Sequence, residues 1–336
     1  MSQVSCGIVG LPNSGKSTLF NALLKKQIAQ VGEYPYTTVE PNVGVVEVPD
    51  RRLDKIADAI AGDPSTSLRP SALRTSAVSS VEPLRLEETN RPQIIPAAIR
   101  FIDIAGLIKG AHKGEGLGNQ FLAKIREVDA IIHVVRAFEN PQVEHVGGKI
   151  DPEADIRSVY EELKLGGIAK PAIFVINAGE QDLATSLYHY NEVIDSIERT
   201  YGSKPIIISA KLEAELSELG EEDQGAYLKE LGIEKSGIDQ VIRQSYKLLD
   251  LITFFTVAGG RQIQAWPVKS DTKMVEAAQI VHTDMARGFI AAEVVNWQKL
   301  VDAGSWQEAK SKGLVKTIGK SEVMPEDMVV EFKFSV

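Results

Sequence analysis

Gly10-Leu-Pro-Asn-Ser-Gly15-Lys16-Ser17 is the stretch that decides the fold of this 336-residue chain. An apolar, strand-like run from Val4 to Val9 precedes it, and the helical pattern Ser17-Thr-Leu-Phe-Asn-Ala-Leu-Leu follows. A glycine loop between a strand and a helix is the context that a phosphate-binding loop requires. The stretch therefore predicts a site for a nucleoside triphosphate, and a strand-to-helix turn that binds nothing is the alternative.

The residue types in this loop suit the chemistry of a phosphate. Gly10 and Gly15 permit a backbone path in which successive N–H groups point at the ligand, and the helix adds the positive end of its dipole. Lys16 supplies a mobile positive charge, which makes it a candidate catalytic residue, and the Ser17 hydroxyl is suited to ligate Mg²⁺. We expect these loop residues to hold the nucleotide: Asn13, Ser14, Gly15, Lys16, Ser17 and Thr18.

The composition is that of an ordinary soluble protein. With 43% hydrophobic and 25% charged residues, the chain is long enough for two or three domains. It has no run of about 20 apolar residues and no secretory leader pattern, so we expect no membrane partner and a cytoplasmic location. Cys6 is the single cysteine, which excludes an intrachain disulfide and fits a reducing compartment.

The charge pattern bears on nucleic-acid binding. A net charge of −9 argues against a protein that coats nucleic acid through bulk electrostatics, and we expect no DNA partner. Four lysines near the C-terminus nevertheless fall close together: Lys310, Lys312, Lys316 and Lys320. Both a local patch for RNA and a solvated lysine face remain open.

Continuous apolar runs predict a parallel sheet that is covered on both faces. The runs are Ser5 to Gly10, Ile99 to Ile104, Ala130 to Val135, Ala172 to Ile176 and Pro205 to Ser209. Helical patterns separate most of them, which indicates a doubly wound, mostly parallel α/β domain of the P-loop NTPase type. Val43-Gly-Val-Val-Glu-Val is a further strand candidate, antiparallel at the edge.

The pattern changes near Thr253, so we expect a P-loop domain over residues 1–250 and a second domain over 251–336. A hairpin through Ala258-Gly-Gly, a helix from Met274 to Arg287 and a last strand from Met328 to Phe334 predict a small α+β, ubiquitin-like grasp fold. Residues 62–97 are rich in Pro and Ser and predict an irregular surface insertion.

The other strand ends predict the rest of a nucleotide site. Asp103-Ile-Ala-Gly106 ends one strand, so that Asp103 can hold Mg²⁺ through water and the Gly106 N–H can approach the γ-phosphate. Upstream, Thr38 offers a hydroxyl that completes the metal shell. We therefore expect Ser17, Thr38 and Asp103 to hold the metal, and loss of the γ-phosphate to release both loops.

The segment Asn177-Ala178-Gly-Glu180 stands where switch GTPases carry Asn-Lys-x-Asp. In those proteins the aspartate accepts both guanine N–H groups and the lysine covers the base. This chain lacks the lysine and its carboxylate is one methylene longer, which removes the basis for rejecting adenine. We expect Asn177, Ala178 and Glu180 to bind the base, with a further backbone contact from Ser209 and Ala210.

Taken together, these motifs resemble the YchF/Obg-like ATPase family within the translation-factor-related P-loop GTPases. The segments that look like its signatures are residues 10–17, Tyr34-Pro-Tyr-Thr-Thr-Val-Glu-Pro-Asn42, Asp103-Ile-Ala-Gly-Leu, Lys113-Gly-Glu-Gly-Leu-Gly-Asn119, Phe138-Glu-Asn and Asn177-Ala-Gly-Glu180. The tail from Phe254, with His282-Thr-Asp and Gly288-Phe-Ile, resembles its TGS domain. The resemblance covers most of the chain.

The resemblance implies a Mg²⁺-dependent ATPase with an OBG-type G domain that binds GTP more weakly than or comparably to ATP. It also implies a nucleotide-dependent switch that binds the large ribosomal subunit or RNA and acts in translation or stress regulation. A nucleotide-gated module that binds RNA or protein, with incidental hydrolysis, is the alternative. The family's helical arm is expected to be missing, because only Leu165-Gly-Gly-Ile-Ala-Lys-Pro171 stands at its position.

The residue that orients the attacking water is left open by the sequence. Many switch GTPases carry a glutamine just after Asp-x-x-Gly, whereas this chain has Leu107, so we expect slow intrinsic hydrolysis. His145 is the first internal candidate and His112 the second, because both lie in predicted loops near strand ends. An exposed loop histidine is the alternative for each. Asn13 is a candidate ligand for K⁺, as in related GTPases.

Overall fold

The computed structural model describes residues 4–30, 42–61, 91–104, 106, 117–185, 190–233 and 235–335. The chain divides into two compact units, one of residues 1–48 with 98–250 and the other of residues 49–97 with 251–336. The expectations for Thr38, Leu107, His112 and most of the 62–97 insertion concern positions outside the described residues.

Helices follow most of the strands in the first 250 residues. In chain order they are β1 (Ser5–Val9), α1 (Lys16–Gln30), β2 (Val43–Glu47), α2 (Arg52–Ala61), β3 (Gln93–Ile95), β4 (Ala98–Asp103), α3 (Leu117–Glu127), β5 (Ala130–Arg136), α4 (Pro152–Leu165), β6 (Ala172–Asn177), α5 (Glu180–Thr185), α6 (Asn191–Tyr201), β7 (Ile206–Ile208), α7 (Ala210–Leu216), α8 (Glu221–Glu230) and α9 (Gly237–Leu248). The elements that follow are β8 (Leu251–Ala258), β9 (Gln262–Lys269), α10 (Met274–Val281), α11 (Thr283–Arg287), β10 (Phe289–Asn296), α12 (Trp297–Ala303), α13 (Trp306–Ser311), β11 (Lys316–Ile318) and β12 (Met328–Phe334).

The first unit is the predicted doubly wound domain. Its sheet has the strand order β2-β4-β1-β5-β6-β7, in which every pair is parallel except β2 with β4. The antiparallel edge strand expected at Val43 is therefore confirmed. Because the parallel strands all end at one edge, the loops after β1, β4, β5, β6 and β7 meet there, which is where such sheets bind ligands.

Apolar side chains from both faces of this sheet explain why the strands are continuous apolar runs. All seven residues of β5 are buried. On one side, Ile131 packs with Val159 and Leu163 of α4 and with Ile125 of α3 in a common cluster. Strands covered in this way have no solvent face and need no polar alternation.

His133 is a polar exception in the middle of β5. Its ring is buried against Tyr160 and Phe174, with ring centroids 5.9 and 5.6 Å away, and neither ring nitrogen has a hydrogen-bond partner within the described residues. Burial, with a smaller contribution from the nearby Lys16 charge, lowers the pKa of His133 to about 3. The side chain therefore serves this core as a neutral aromatic ring.

The second unit has the predicted grasp arrangement around β8 to β12. β8 and β9 form the expected antiparallel hairpin, β12 lies parallel to β8, and β10 lies antiparallel to β12. Helix α10 places Met274, Ala277 and Ala278 in a cluster with Phe254 and Val330. One apolar helix face thus covers one sheet face, which is the expected α+β layering.

The structure assigns residues 49–97 differently from the continuous 1–250 domain that the sequence suggested. Residues 93–95 are not irregular but form β3, which pairs in parallel with β9 of the second unit. Helix α2 buries Leu53, Ile56, Ala57 and Ile60. This spacing gives the helix one apolar face, which packs against the rest of the second unit, to which the helix belongs. Its Arg52 binds Asp327 and lies 5.0 Å from the Phe255 ring centroid.

The predicted single helix from Met274 to Arg287 is also corrected. It is interrupted at His282, whose backbone is extended and whose Nδ1 accepts a hydrogen bond from the Asp284 N–H at 3.2 Å. His282 thus ends α10 and caps α11. None of the helices within the described residues is long and apolar enough to cross a membrane.

Candidate functional site

The phosphate-binding loop leaves β1 and enters α1 with the geometry that its glycines permit. Asn13 and Gly15 have left-handed φ values of 62° and 96°. A Cβ on Gly15 would lie 2.1 Å from the Asn177 Nδ2, and one on Gly10 would lie 2.3 Å from the Val134 carbonyl oxygen. Neither glycine can therefore be replaced without moving the loop. Helix α1 begins at Lys16, so its first amides, including that of Thr18, have no carbonyl partner within the helix and can donate to an anion.

Lys16 is poised beside this loop. Its residue exposure is 7%, and its Nζ donates a hydrogen bond to the Leu11 carbonyl oxygen at 2.7 Å. Burial lowers the pKa of Lys16 to about 8, and the Asp103 charge opposes that shift. A Cβ on Gly106 would approach the same Nζ to 3.2 Å and the Pro12 backbone nitrogen to 3.0 Å. Gly106 therefore brings bare backbone next to the lysine ammonium.

Two of the three predicted metal ligands meet in the structure. Ser17 Oγ donates a hydrogen bond to Asp103 Oδ2 at 2.7 Å, although the residues come from α1 and the end of β4. The other carboxylate oxygen, Asp103 Oδ1, is buried and lacks a hydrogen-bond partner among the residues described. A hydroxyl and a carboxylate are hard oxygen donors of the kind Mg²⁺ selects, so these residues fit that ion. The third predicted ligand, Thr38, lies outside the described residues.

Asn177, a predicted base-site residue, connects three loops through its side-chain amide. It is 4% exposed, its Nδ2 donates to the Ser14 carbonyl oxygen at 2.9 Å, and its Oδ1 accepts from the Ala210 N–H at 2.9 Å. Three sequence-distant segments are thereby fixed to one another. The same strand end places Ala178, whose N–H donates to the Ile208 carbonyl oxygen at 2.7 Å.

The remaining base-site candidates lie at the starts of helices. Glu180 is the first residue of α5 and follows Asn177 by three positions in the sequence. Ser209 caps α7, where its side chain accepts from the Leu212 N–H, and Ala210 is the first residue of that helix. Among the described residues, the structure therefore brings those predicted for phosphate, metal and base to one edge of the sheet.

His145 is buried in a loop that contacts the phosphate-binding loop, which corrects the alternative of an exposed histidine. Its side chain is 6% exposed, and its Nε2 lies 2.9 Å from Asp155 Oδ2. Its Nδ1 accepts a hydrogen bond from the Gly147 N–H at 3.0 Å. The adjacent Glu144 carbonyl oxygen accepts from the Asn13 Nδ2 at 3.1 Å. Both ring nitrogens are thus engaged in this conformation, and neither is free to align a water molecule.

Arg136 is a site residue that the sequence analysis missed. It is 2% exposed at the end of β5, and its guanidinium donates to three backbone carbonyl oxygens, those of Phe138, Val143 and Glu144, at 2.9 to 3.2 Å. The Phe138 ring centroid lies 4.6 Å from the guanidinium carbon. Arg136 therefore shapes the loop that touches Asn13. A charged residue at the end of a mostly apolar strand was the available signal.

Comparison with protein families gives two matches that divide the chain. Residues 5–178 match a family model described as "50S ribosome-binding GTPase". Residues 251–335 match the model YchF-GTPase_C, which is described as a protein of unknown function. Residues 179–250 lie between the two matches, and the second match begins at the first residue of β8.

Full-length relatives are found in several bacteria. The "Ribosome-binding ATPase YchF" of Bacillus subtilis is 36% identical over 398 residues, covering 99% of this chain and 100% of the relative. The Escherichia coli O157:H7 protein of the same description is 33% identical over 393 residues, covering 98% and 99%. The first alignment exceeds the 336 residues of this chain, so at least 62 aligned positions have no counterpart here.

Solved structures share the fold. The YchF GTPase of Schizosaccharomyces pombe is similar with a TM-score of 0.78 and 27% identity, covering 99% of this chain and 98% of that one. A GTP binding protein from Pyrococcus horikoshii OT3 has a TM-score of 0.55 and 17% identity, covering 99% and 100%, and supports the fold alone.

Proposed function

The chain belongs to the YchF family, and on that premise we propose that it is a Mg²⁺-dependent P-loop ATPase that also accepts GTP and acts as a nucleotide-dependent switch on the large ribosomal subunit. The observation that carries this proposal is the meeting of Lys16, Ser17 and Asp103 beside the phosphate-binding loop. A cytoplasmic location follows from a ribosomal partner.

The chain's own residues account for the phosphate end of the site. The loop amides and the Lys16 ammonium bind the β- and γ-phosphates, and the backbone at Gly106 lies next to that ammonium. Ser17, Asp103 and Thr38 would hold Mg²⁺, which when bound neutralises charge on the phosphate oxygens. The Asn13 amide nitrogen is bound to Glu144, which leaves its side-chain oxygen as the donor available to K⁺.

A relaxed base site supports the preference for ATP. A guanine-specific site needs a carboxylate placed to accept both guanine N–H groups, and such a site rejects bases that leave its polar groups unpaired. Ala178 offers no long side chain to cover the base, and Glu180 differs in length from the usual aspartate. Adenine is then admissible, and GTP binding is expected to be weaker than or comparable to ATP binding.

A backbone hydrogen bond between the ends of two predicted switch segments supports the nucleotide-dependent switch. The Asp103 N–H donates to the Asn42 carbonyl oxygen at 2.9 Å, so that the end of β4 is tied to the end of the segment that contains Thr38. A γ-phosphate that binds near both is expected to fix them together. The ribosomal partner is proposed from the relatives, whose descriptions name ribosome binding.

Steady-state hydrolysis of ATP and GTP with and without large ribosomal subunits tests the proposal. We expect slow hydrolysis by the protein alone and stimulation by large subunits, with small subunits as the control. Ribosome binding without stimulation would favour the nucleotide-gated binding module. Absence of hydrolysis under every condition would contradict an ATPase.

A further inference from the structure

A buried histidine–aspartate pair lies one residue from the carbonyl group that holds the phosphate-binding loop. The side chains of His145 and Asp155 are 6% and 9% exposed, and 2.9 Å separates Nε2 from Oδ2. Glu144, the residue before His145, accepts hydrogen bonds from Asn13 of the loop and from buried Arg136. The pair thus belongs to a continuous set of contacts that ends at the phosphate-binding loop.

The hydrogen bonds of His145 define its tautomer. The Gly147 backbone N–H can only donate, so Nδ1 must carry the lone pair that accepts this bond at 3.0 Å. The ring proton is then on Nε2, from which it is donated to the Asp155 carboxylate. A carboxylate in this position selects the tautomer and favours a positive charge that develops on the ring.

Asp155 is held firmly in that position. It lies in the first turn of α4, where Asp151 caps the helix by accepting from the Ala154 N–H at 3.1 Å and Pro152 begins the helix. Burial raises the pKa of the Asp155 carboxyl, and the bond from His145 acts in the opposite direction. The histidine is therefore a favourable partner for a poorly solvated carboxylate.

We propose that Asp155 is a positioning residue for nucleotide hydrolysis, which keeps the His145 proton on Nε2 and reserves Nδ1 as an acceptor. The inference rests on the proposed function, and in particular on His145 as the residue that receives a proton. Because the Gly147 N–H occupies Nδ1 in this conformation, the step requires that this bond open and that a water molecule donate to Nδ1 in its place. As the water oxygen bonds to the γ-phosphorus, its proton passes to Nδ1. The bond from that phosphorus to the bridging oxygen breaks, and the nucleoside diphosphate leaves with the bonding electrons.

The test compares single-turnover ATP hydrolysis, nucleotide affinity and the histidine tautomer in Asp155→Asn and His145→Ala. General base catalysis contributes about 10²- to 10⁴-fold, so we expect His145→Ala to lose a rate factor in that range. Asp155→Asn is expected to lose roughly tenfold or more, because an amide can donate to Nε2 and stabilise the other tautomer. Long-range ¹H–¹⁵N spectra should show the proton on Nε2 in wild type and a shift towards Nδ1 in Asp155→Asn.

Further variants separate positioning from folding. Glu153→Gln, in the same turn of α4 but exposed, should keep the wild-type rate and tautomer. Asp155→Glu retains a carboxylate and should recover part of the rate. Adding Asp155→Asn to His145→Ala should not slow hydrolysis further, since the aspartate acts through the histidine.

The possible results separate the role of His145 in hydrolysis from the positioning role of Asp155. An unchanged rate in His145→Ala would remove that histidine from the proposed mechanism. A slow His145→Ala variant beside a wild-type rate in Asp155→Asn would overturn the positioning role alone. The same role is overturned if Asp155→Asn lowers the rate only in proportion to nucleotide affinity and the tautomer stays on Nε2, because the pair would then merely fasten the loop.

Discussion

A Lys16→Ala variant is expected to hydrolyse ATP at least about 100-fold more slowly than the wild-type chain and to bind it roughly 10- to 100-fold more weakly. The Lys16 ammonium lies beside both the phosphate-binding loop and the backbone at Gly106. This buried ammonium would be the positive charge nearest to the bound triphosphate. No other side chain in the described part of the loop is positively charged and could replace it. Single-turnover hydrolysis and equilibrium binding measure the two losses separately.

The pH dependence of binding gives this prediction a distinctive signature. Because the pKa of Lys16 is about 8 in the free protein, the ammonium begins to lose its proton above that pH. A bound triphosphate favours the charged form, so binding takes up a proton above pH 8. Affinity should be level below pH 8 and fall by up to about tenfold per pH unit above it. The nucleotide affinity of Lys16→Ala should not show this fall above pH 8.

Lys25→Ala is the matched control. Lys25 lies on the same helix, is 47% exposed and forms an ion pair with Glu218, away from the phosphate-binding loop. Its removal should leave hydrolysis and nucleotide affinity unchanged. Equal losses in both variants would mean that the helix, and not the Lys16 charge, determines activity.

The second large effect is expected for Asp103→Asn. This change keeps the shape of the side chain but removes the negative charge that would face Mg²⁺, so hydrolysis should fall by roughly 100-fold and need far more Mg²⁺ for its residual rate. Ser17→Ala, which removes the partner hydroxyl, should act in the same direction. A Mg²⁺ titration of the hydrolysis rate at saturating ATP measures both effects.

The stability of the free protein separates a metal role from a structural one. Asp103 Oδ1 is buried without a hydrogen-bond partner in the described part of the chain, so neutralising the carboxylate should not lower the thermal midpoint in the absence of ligands. The additional stabilisation by Mg²⁺ and nucleotide should be lost. Glu127→Gln, an exposed change at the end of α3, serves as the control. A wild-type Mg²⁺ response in Asp103→Asn contradicts the assigned ligand.

The sequence predicted which residues meet at this edge of the sheet because each signal there is local. Glycine spacing, the lysine and the hydroxyl lie within eight residues, and Asp103 lies near the end of an apolar run. The topology of a parallel sheet then brings the strand ends together without further information. The edge strand β2 was also recognised, from the short apolar run that begins at Val43.

The sequence did not predict that residues 49–97 belong to the second unit, because strand pairing between distant parts of the chain places them there. Gln93 to Ile95 pair with Gln262 to Gln264, and nothing in a three-residue strand specifies a partner so distant in the chain. Helix α2 has a clear apolar face, but a face of that kind does not reveal which sheet it will cover. The role of Arg136 was hidden for a related reason, because its partners are backbone carbonyl oxygens that no residue type identifies.

Calorimetric titration of the wild-type protein with the non-hydrolysable β,γ-imido analogues of ATP and GTP, in the presence of Mg²⁺, tests the central claim most directly. The altered base segment from Asn177 to Glu180 predicts measurable binding of the adenine nucleotide, at least as tight as that of the guanine nucleotide. Tight binding of the guanine analogue without detectable binding of the adenine analogue would contradict it.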